Sequence, residues 1–396
     1  MSEAVVIVGS GLAGYNVARE LRKADAEVPI VLVSRDQAGF YSKPMLSNAL
    51  AGKKTAASLV TKSAEKMAEE VKLRVLAQTS VTRLDTAART LTLSSGEVLP
   101  YRDLVLALGA DPIRLPLQGD AADTVLSVND LEDFARFADA LDTAANGQPV
   151  KRVAILGAGL IGCEFANDLL HRAIQPTVLD LAERVLPRLL PPQSSARLQA
   201  KLQEGGASFR FGVGASAVNR SANGAGLVVT LTDGSTLETD LVLSAIGLRP
   251  RTQLASEAGL SVARGIQVNR LLATSVEHVY AVGDCAEVEG HLLPYVLPLM
   301  GQARALAATL SGKPTPVAYP AMPVVVKTPA WPTVVCPPAA NAQGEWVVNE
   351  TDEAIEARFV APASAGATEQ LLGFALQGKA TAQRQAFAAQ VPAVLA

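Results

Sequence analysis

The sequence predicts an α/β fold with two parallel-sheet domains, the second inserted in the first, and a small C-terminal α+β domain. An apolar strand, a glycine-rich turn and a helix follow one another over residues 5–24, and the same order recurs from residue 153. Apolar runs of strand length that alternate with helical segments are typical of parallel sheets. After Gly312, proline-rich spacers separate short β-branched runs, which indicates a change of architecture.

The first turn carries glycines at positions 9, 11 and 14, directly after the apolar run 5–8. This spacing is the dinucleotide-binding fingerprint of Rossmann-like domains. Gly9 permits the sharp turn, Gly11 lets the backbone approach a pyrophosphate, and Gly14 lets the helix pack closely on the strand. The N-terminus of the following helix favours an anion, so the pattern predicts a bound dinucleotide.

The second turn repeats the spacing with Gly157, Gly159 and Gly162. The next predicted strand ends at Asp180, about 20 residues further on, where a carboxylate is expected to bond the ribose 2′-OH. A 2′-phosphate would meet the charge of Asp180, which favours NAD over NADP although Arg184 is nearby.

The first copy has no acid at the corresponding position. Its second predicted strand ends in Ser34, Arg35 and Asp36, so the carboxylate is displaced by one or two residues. Backbone groups of Ser34 and Arg35 or the side chain of Asp36 could make the ribose contact, and the sequence leaves this open.

Two apolar runs that each end in glycine, residues 104–109 and 241–247, suggest where the chain leaves the first sheet and returns to it. The predicted domains are therefore 1–112 with 244–320, an inserted 113–243, and a β-rich 321–396. We also expect one strand over 73–81, a meander that includes 208–211 and 226–231, and a helix that begins at Pro298.

Composition excludes several classes of function. The 396 residues carry a formal net charge of −3 without a basic cluster, which argues against nucleic-acid binding. No apolar run reaches membrane-spanning length, and the first residues do not form a secretory signal, so a cytoplasmic protein is expected. The three cysteines and three histidines are dispersed, which indicates neither a disulfide framework nor a metal site.

Several stretches carry a family resemblance over the whole chain. Besides the two turns, they are Tyr-Ser-Lys-Pro-Met-Leu-Ser at 41–47, Gly-Cys-Glu-Phe-Ala-Asn-Asp at 162–168, Tyr-Ala-Val-Gly-Asp-Cys-Ala-Glu-Val at 280–288 and Met-Pro-Val-Val-Val-Lys-Thr-Pro at 322–329. With them the chain resembles the FAD-dependent pyridine nucleotide oxidoreductases, and within these the rubredoxin reductases of alkane-oxidising bacteria.

The resemblance implies FAD in the discontinuous first domain and NADH in the inserted one. The residues implied to contact FAD, together with Gly14 and Arg35 from the turn and strand patterns, are Gly9, Ser10, Gly11, Ser34, Lys43, Val81, Glu164, Asp284, Val296 and Lys327. The residues expected to contact NADH are Gly157, Gly159, Gly162 and Asp180.

Three of these residues are expected to act in catalysis. Lys327 and the N-terminus of the helix at Pro298 would stabilise the negative charge of reduced flavin. Lys43 and Glu164 could form an ion pair that orients the nicotinamide and keeps the buried lysine charged. The alternatives are a solvated loop lysine at position 43 and a helix-surface carboxylate at position 164.

The implied function is electron transfer from NADH through FAD to rubredoxin, which would supply an alkane hydroxylase. No cysteine precedes Cys163, so the chain lacks the early cysteine pair of disulfide reductases and electrons would pass directly from the flavin to an external acceptor. Alternatives are a reductase for the ferredoxin of a dioxygenase, a reductase in a nitric-oxide-detoxifying system, and a flavin redox sensor. The oligomeric state is left open, with a monomer favoured.

Overall fold

The computed structural model describes residues 4–143, 147–222, 224, 226–362 and 369–396. Its strands, in chain order, are β1 (Val5–Val8), β2 (Ile30–Val33), β3 (Arg74–Leu76), β4 (Val81–Asp85), β5 (Thr90–Leu93), β6 (Val98–Pro100), β7 (Asp103–Leu106), β8 (Ala110–Pro112), β9 (Arg152–Leu156), β10 (Gln175–Asp180), β11 (Ser208–Phe211), β12 (Ala215–Arg220), β13 (Leu227–Leu231), β14 (Thr236–Thr239), β15 (Leu241–Ser244), β16 (Leu248–Pro250), β17 (Ile266–Val268), β18 (Val279–Ala281), β19 (Ala286–Val288), β20 (Val324–Val326), β21 (Thr333–Cys336), β22 (Glu345–Glu350), β23 (Ala354–Val360) and β24 (Leu371–Gly378).

The α-helices are α1 (Leu12–Ala24), α2 (Ala56–Leu59), α3 (Ala64–Val71), α4 (Leu131–Asp142), α5 (Leu160–Leu170), α6 (Pro192–Glu204), α7 (Gln253–Glu257), α8 (Val296–Leu310) and α9 (Arg384–Ala388). Short 3₁₀ segments cover Lys43–Asn48, Ala122–Thr124, Gly283–Cys285 and Lys379–Gln383. The predicted first helix is confirmed. Helix α8 begins two residues before Pro298, so the proline lies in its first turn. It is tolerated there because an N–H in the first turn has no partner within the helix.

The first parallel sheet has the strand order β3-β2-β1-β7-β18. Strands β1, β2 and β7 are buried along their whole length, as expected for central strands that are covered on both faces. Helix α1 packs beside α8 in this domain. Since β18 comes from residues 279–281, the sheet is completed only after the chain has passed through the second domain.

The second parallel sheet repeats the arrangement with the order β11-β10-β9-β15. Strands β9 and β15 correspond to β1 and β7 of the first sheet, so the apolar run 241–247 belongs to the inserted domain as far as Ser244. The chain crosses between the two sheets on the antiparallel pair β8 and β16. The predicted α/β fold with one parallel-sheet domain inserted in another is confirmed.

Two local predictions are wrong. Residues 73–81 do not form one strand: β3 joins the first parallel sheet, and β4 starts an antiparallel sheet with β5 and β6. Residues 208–211 do not belong to the meander, because β11 pairs in parallel with β10, whereas the meander is β12-β13-β14. Both errors concern the pairing of strands. The period of apolar residues along the sequence indicates a strand, but it does not indicate the distant strand with which that segment pairs.

The C-terminal sheet has the order β20-β21-β24-β23-β22, and every neighbouring pair is antiparallel. Phe374 and Phe387 meet edge to face in its small core, with α9 supplying the second ring. Its strands and short helix agree with the predicted small α+β domain. Among the described residues, no helix is both long enough and apolar enough to cross a membrane.

Candidate functional site

The first glycine-rich turn combines two crowded glycines with one open position. A Cβ on Gly9, whose φ is +119°, would lie 2.1 Å from the carbonyl oxygen of Ala107. A Cβ on Gly14 would lie 1.9 Å from the carbonyl oxygen of Gly9, whereas a Cβ on Gly11 would meet nothing within 4 Å. The backbone at Gly11 is therefore open to a ligand at the crevice between β1 and β7.

The second turn has the same construction. A Cβ on Gly157, at φ +108°, would lie 2.7 Å from the carbonyl oxygen of Ala245, and one on Gly162 would lie 1.9 Å from that of Gly157. Gly159 again has open space around it. In both copies the N-cap glycine makes no side-chain capping bond, which leaves the first N–H groups of α1 and α5 available to an anion.

The carboxylate near the first turn is Asp36. Its Oδ1 accepts hydrogen bonds from Ser10 Oγ at 3.0 Å, Ser34 Oγ at 2.7 Å and the N–H of Ala38 at 2.8 Å. The structure therefore brings Ser10, Ser34 and Asp36 together at the end of β2. The Arg35 side chain points elsewhere, towards Asp130, 3.9 Å away.

Asp180 lies beside the second turn, at the end of β10. Its Oδ2 accepts the N–H of Ala158 at 2.6 Å, and its Oδ1 accepts the N–H of Ala182 at 2.8 Å. The carboxylate is half-buried and remains next to the fingerprint backbone. This is the position from which an acid can reach a ribose hydroxyl.

Asp284 is held against the first turn by its neighbour Gly283. A Cβ on Gly283 would lie 2.8 Å from the Cβ of Ala13 in α1, so no larger residue fits at this contact. Asp284 Oδ2 lies 3.4 Å from Nζ of Lys43. The 3₁₀ segments Lys43–Asn48 and Gly283–Cys285 thus meet at one edge of the first crevice.

Glu164 forms a buried junction between three parts of the chain. It has no exposed surface, and its Oε2 accepts a hydrogen bond from Ser47 Oγ at 2.6 Å. Its Oε1 accepts the N–H of Lys327 at 2.9 Å, and the Lys327 ammonium forms an ion pair with Oε2. The expected Lys43–Glu164 pair is therefore wrong, and so is the alternative of a helix-surface carboxylate.

The physical reason for this correction is the position of the third domain. Lys327 lies just after β20 and reaches α5, whereas Lys43 is turned towards Asp284. The positions of these residues in the sequence did not indicate that Glu164 would pair with Lys327 and Lys43 with Asp284. A fully buried carboxylate requires a cation and further donors, and Lys327 and Ser47 supply them.

Helix α5 carries two further contacts that the sequence reasoning missed. The carboxylate of Asp168 accepts the N–H groups of Leu50 at 2.9 Å and Ala51 at 2.8 Å. Asn167 Oδ1 accepts the N–H of Ala330 at 3.1 Å. The spacing of these side chains from Glu164, three and four residues, places them on one helix face and was the available signal.

Two apolar residues complete the set of expected contacts. Val296 is the first residue of α8 and is 39% exposed. Val81 begins β4 and is half-buried; it lies two residues after Thr79, whose N–H donates to the carbonyl of Ser34. The start of β4 therefore lies near the end of β2, whereas the contact of Val296 with FAD stays a prediction.

The cysteines lie apart from one another and are buried. All three, Cys163, Cys285 and Cys336, are free. Burial raises the pKa of the Cys285 and Cys336 thiols to about 11 and that of Cys163 further. Within the described residues no cluster of histidine, cysteine or carboxylate side chains could hold a metal ion.

Comparison with known proteins decides the family. The family model described as "Pyridine nucleotide-disulphide oxidoreductase" matches residues 3–308. The chain belongs to this family. A second model, described as "Rubredoxin binding C-terminal domain", matches residues 316–391.

Similar proteins extend over the full chain. A rubredoxin-NAD(+) reductase of Alcanivorax borkumensis is 47% identical over 391 residues, 99% of both chains. A rubredoxin-NAD(+) reductase of Acinetobacter baylyi is 46% identical over 96% of this chain and 95% of that protein. The crystal structure of a ferredoxin reductase from Rhodopseudomonas palustris superposes with a TM-score of 0.86 at 27% identity, covering 99% of this chain and 96% of the other.

Membership of the pyridine nucleotide-disulphide oxidoreductase family implies binding of FAD and NAD. The described residues fit both groups. Each crevice has an open middle glycine and an uncapped helix N-terminus, which suit a pyrophosphate. The first also has Asp284 beside α1, and the second has Asp180, so each crevice provides polar acceptors for hydroxyl groups.

Proposed function

We propose that the chain is an NADH-dependent FAD flavoprotein that delivers electrons to rubredoxin. Support comes from the match of residues 316–391 to a rubredoxin-binding domain and from the rubredoxin-NAD(+) reductases that resemble the whole chain. The match of residues 316–391 carries the proposed acceptor, and in the structure this region is linked to the nucleotide-binding part of the chain by the contact of Lys327 with Glu164. This contact joins the C-terminal sheet to α5, the helix that begins at the second nucleotide turn.

In this proposal FAD occupies the crevice of the first domain and NADH that of the second. The residues assigned to FAD are Gly9, Ser10, Gly11, Gly14, Ser34, Arg35, Lys43, Val81, Glu164, Asp284, Val296 and Lys327. Arg35 would act through its backbone, because its side chain is directed to Asp130. Gly157, Gly159, Gly162 and Asp180 are assigned to NADH.

FAD, when bound, supplies the step from a two-electron hydride donor to a one-electron iron acceptor. The protein contributes charge and orientation around it. Lys327, 23% exposed, would offset negative charge on the reduced cofactor, and Glu164 holds its ammonium in place. The N-terminus of α8 would add a partial positive charge.

Lys43 and Asp284 would bind FAD at the edge where the two 3₁₀ segments meet. Asp284 can accept a hydrogen bond from a hydroxyl group, and the Lys43 ammonium lies 3.4 Å from this carboxylate. The buried cysteines are protonated at neutral pH and lie apart, so they provide no thiol relay. Electrons would therefore leave the flavin directly, and reduced rubredoxin would supply an alkane hydroxylase.

A stopped-flow comparison tests the proposed acceptor. The FAD-loaded protein is reduced with NADH and mixed with a rubredoxin or, in a parallel experiment, with a [2Fe–2S] ferredoxin of matched concentration. We expect faster reduction of rubredoxin. Faster reduction of the ferredoxin would favour the alternative of a ferredoxin reductase, the activity named for the similar Rhodopseudomonas palustris structure.

A further inference from the structure

A buried glutamine in α8 contacts the turn that carries Asp284. Gln302 is 2% exposed, and its Oε1 accepts the N–H of Gly283 at 2.7 Å. Gly283 has a φ of +75° and lies between Ala13 of α1 and Leu299 of α8. Gln302 therefore satisfies the N–H at the start of the turn whose next residue carries the carboxylate.

The other end of the same amide reaches a buried tyrosine. Gln302 Nε2 donates to the hydroxyl oxygen of Tyr319 at 2.8 Å, and Tyr319 is 1% exposed. We call the chain of contacts Gly283–Gln302–Tyr319 the glutamine bridge. Its two hydrogen bonds use the carbonyl oxygen and one of the two N–H groups of the Gln302 side-chain amide, which holds the amide in one orientation.

Tyr319 is itself anchored by a segment from beyond the C-terminal sheet. Its N–H donates to the carbonyl of Leu395 at 2.7 Å, and its carbonyl accepts the N–H of Val394 at 2.7 Å. The glutamine bridge therefore connects residues 394–395 with the edge of the first crevice. Lys43 lies 3.4 Å from Asp284 at this edge.

We propose that Gln302 and Tyr319 are positioning residues that set the orientation of Asp284 in the FAD site. The inference rests on the proposed assignment of FAD to the first crevice and assigns these two residues a role there. Gln302 acts through the Gly283 N–H, and Tyr319 acts through Gln302. The bridge makes residues 319 and 394–395 a support for the FAD site, although neither segment touches Asp284.

Loss of the bridge has a defined physical effect. Gln302→Met keeps a side chain of similar volume but leaves the buried N–H of Gly283 without a hydrogen-bond acceptor. The turn can regain a partner only by moving, and such a movement displaces the neighbouring Asp284. A buried hydroxyl at Tyr319 would also lose its donor.

The test measures the dissociation constant of FAD on the full chain after removal and re-addition of the cofactor. We expect Gln302→Met to raise it about tenfold and to alter the fine structure of the flavin absorption band. Tyr319→Phe should raise the dissociation constant of FAD by a smaller factor. The double variant should match Gln302→Met alone, because both substitutions break the same chain of contacts.

Thr309→Val is the matched control. Thr309 also lies in α8, and its Oγ1 accepts the N–H of Thr315 at 3.1 Å, but this contact is remote from Asp284. Its variant should lose thermal stability and retain FAD affinity and spectrum. If Gln302→Met had the same FAD affinity and spectrum as the unsubstituted chain, the proposed positioning role of the bridge would be overturned. If the unsubstituted chain failed to bind FAD, the proposed function itself would be overturned.

Discussion

At the residue scale, Asp180 performs a structural task together with its proposed role in binding. Both carboxylate oxygens accept backbone N–H groups, one of them from Ala158 in the fingerprint turn. The residue therefore fixes the turn and places a negative charge at the end of β10. A 2′-phosphate at this place would be repelled by that charge.

Replacing Asp180 tests the preference for NADH. Asp180→Asn keeps an acceptor but removes the charge, so the ratio of kcat/KM for NADH over that for NADPH should fall about tenfold, which corresponds to about 1.4 kcal/mol. Steady-state kinetics with both nucleotides measures it. Asp233→Asn, in the exposed turn of the meander, is the control, and an equal ratio in both variants would exclude Asp180 from this role.

Lys327 is the second residue whose charge can be tested. Lys327→Met removes a cation from the proposed FAD site, so the midpoint potential of the bound flavin should fall by about 30 mV or more. Spectroelectrochemical titration measures the change. Lys379→Met, a charge of the same domain that is 74% exposed, should leave the potential unaltered. An unchanged potential in Lys327→Met would refute the electrostatic role.

At the scale of elements, α5 joins three parts of the molecule. Its N-terminus forms the second nucleotide turn, Glu164 reaches Lys327 and Ser47, and Asp168 binds the backbone after the 3₁₀ segment Lys43–Asn48. Buried polar groups on a helix are expensive unless they are paired, and here every one of these carboxylates has partners. The helix thus fixes the relative positions of both crevices and the C-terminal sheet.

The Asp168 contacts give a stability prediction. Asp168→Ala leaves the N–H groups of Leu50 and Ala51 without their acceptor, and we expect the free energy of unfolding to fall by about 3 kcal/mol. Chemical denaturation measures it. Asp142→Ala removes a carboxylate that is 66% exposed and should change stability by less than about 0.5 kcal/mol. Similar losses in the two variants would contradict the proposed importance of α5.

At the scale of the whole molecule, the three cysteines are buried in three separate regions. Cys163 lies in α5, Cys285 follows β18, and Cys336 ends β21. Desolvation raises their pKa values because the protein interior disfavours a thiolate. In the folded protein these groups therefore keep their protons at a pH at which the unfolded chain already releases them.

This difference predicts alkaline destabilisation. Because the folded state binds more protons than the unfolded state, stability should decrease as pH rises from the ordinary value of 9.0 towards about 11. Thermal unfolding at a series of pH values measures it, and Cys285→Ala should show a shallower loss. The native thiols should also resist a thiol reagent at pH 8, and rapid labelling of the folded protein would contradict their burial.

Local patterns determined a large part of the fold and of the site. The two glycine-rich turns, the bounds of α1, the strand before each turn and the position of Asp180 all followed from the sequence, since backbone sterics and apolar periodicity act over a few residues. The order of the repeats also predicted the inserted domain. Family resemblance added Lys43, Glu164 and Lys327 as candidates, but the ion pair expected between Lys43 and Glu164 was wrong.

Only the tertiary structure decided which distant segments meet. It placed β11 in the second parallel sheet, paired Glu164 with Lys327 in place of Lys43, and joined Tyr319 to Gln302. Strands β10 and β11 meet within the inserted domain, and Gln302 and Tyr319 are 17 residues apart in the chain. The Glu164–Lys327 contact joins residues 163 positions apart and depends on how the C-terminal sheet packs on α5. A local pattern carries no information about that packing, because burial and pairing arise from surfaces that exist only after the sheets have formed.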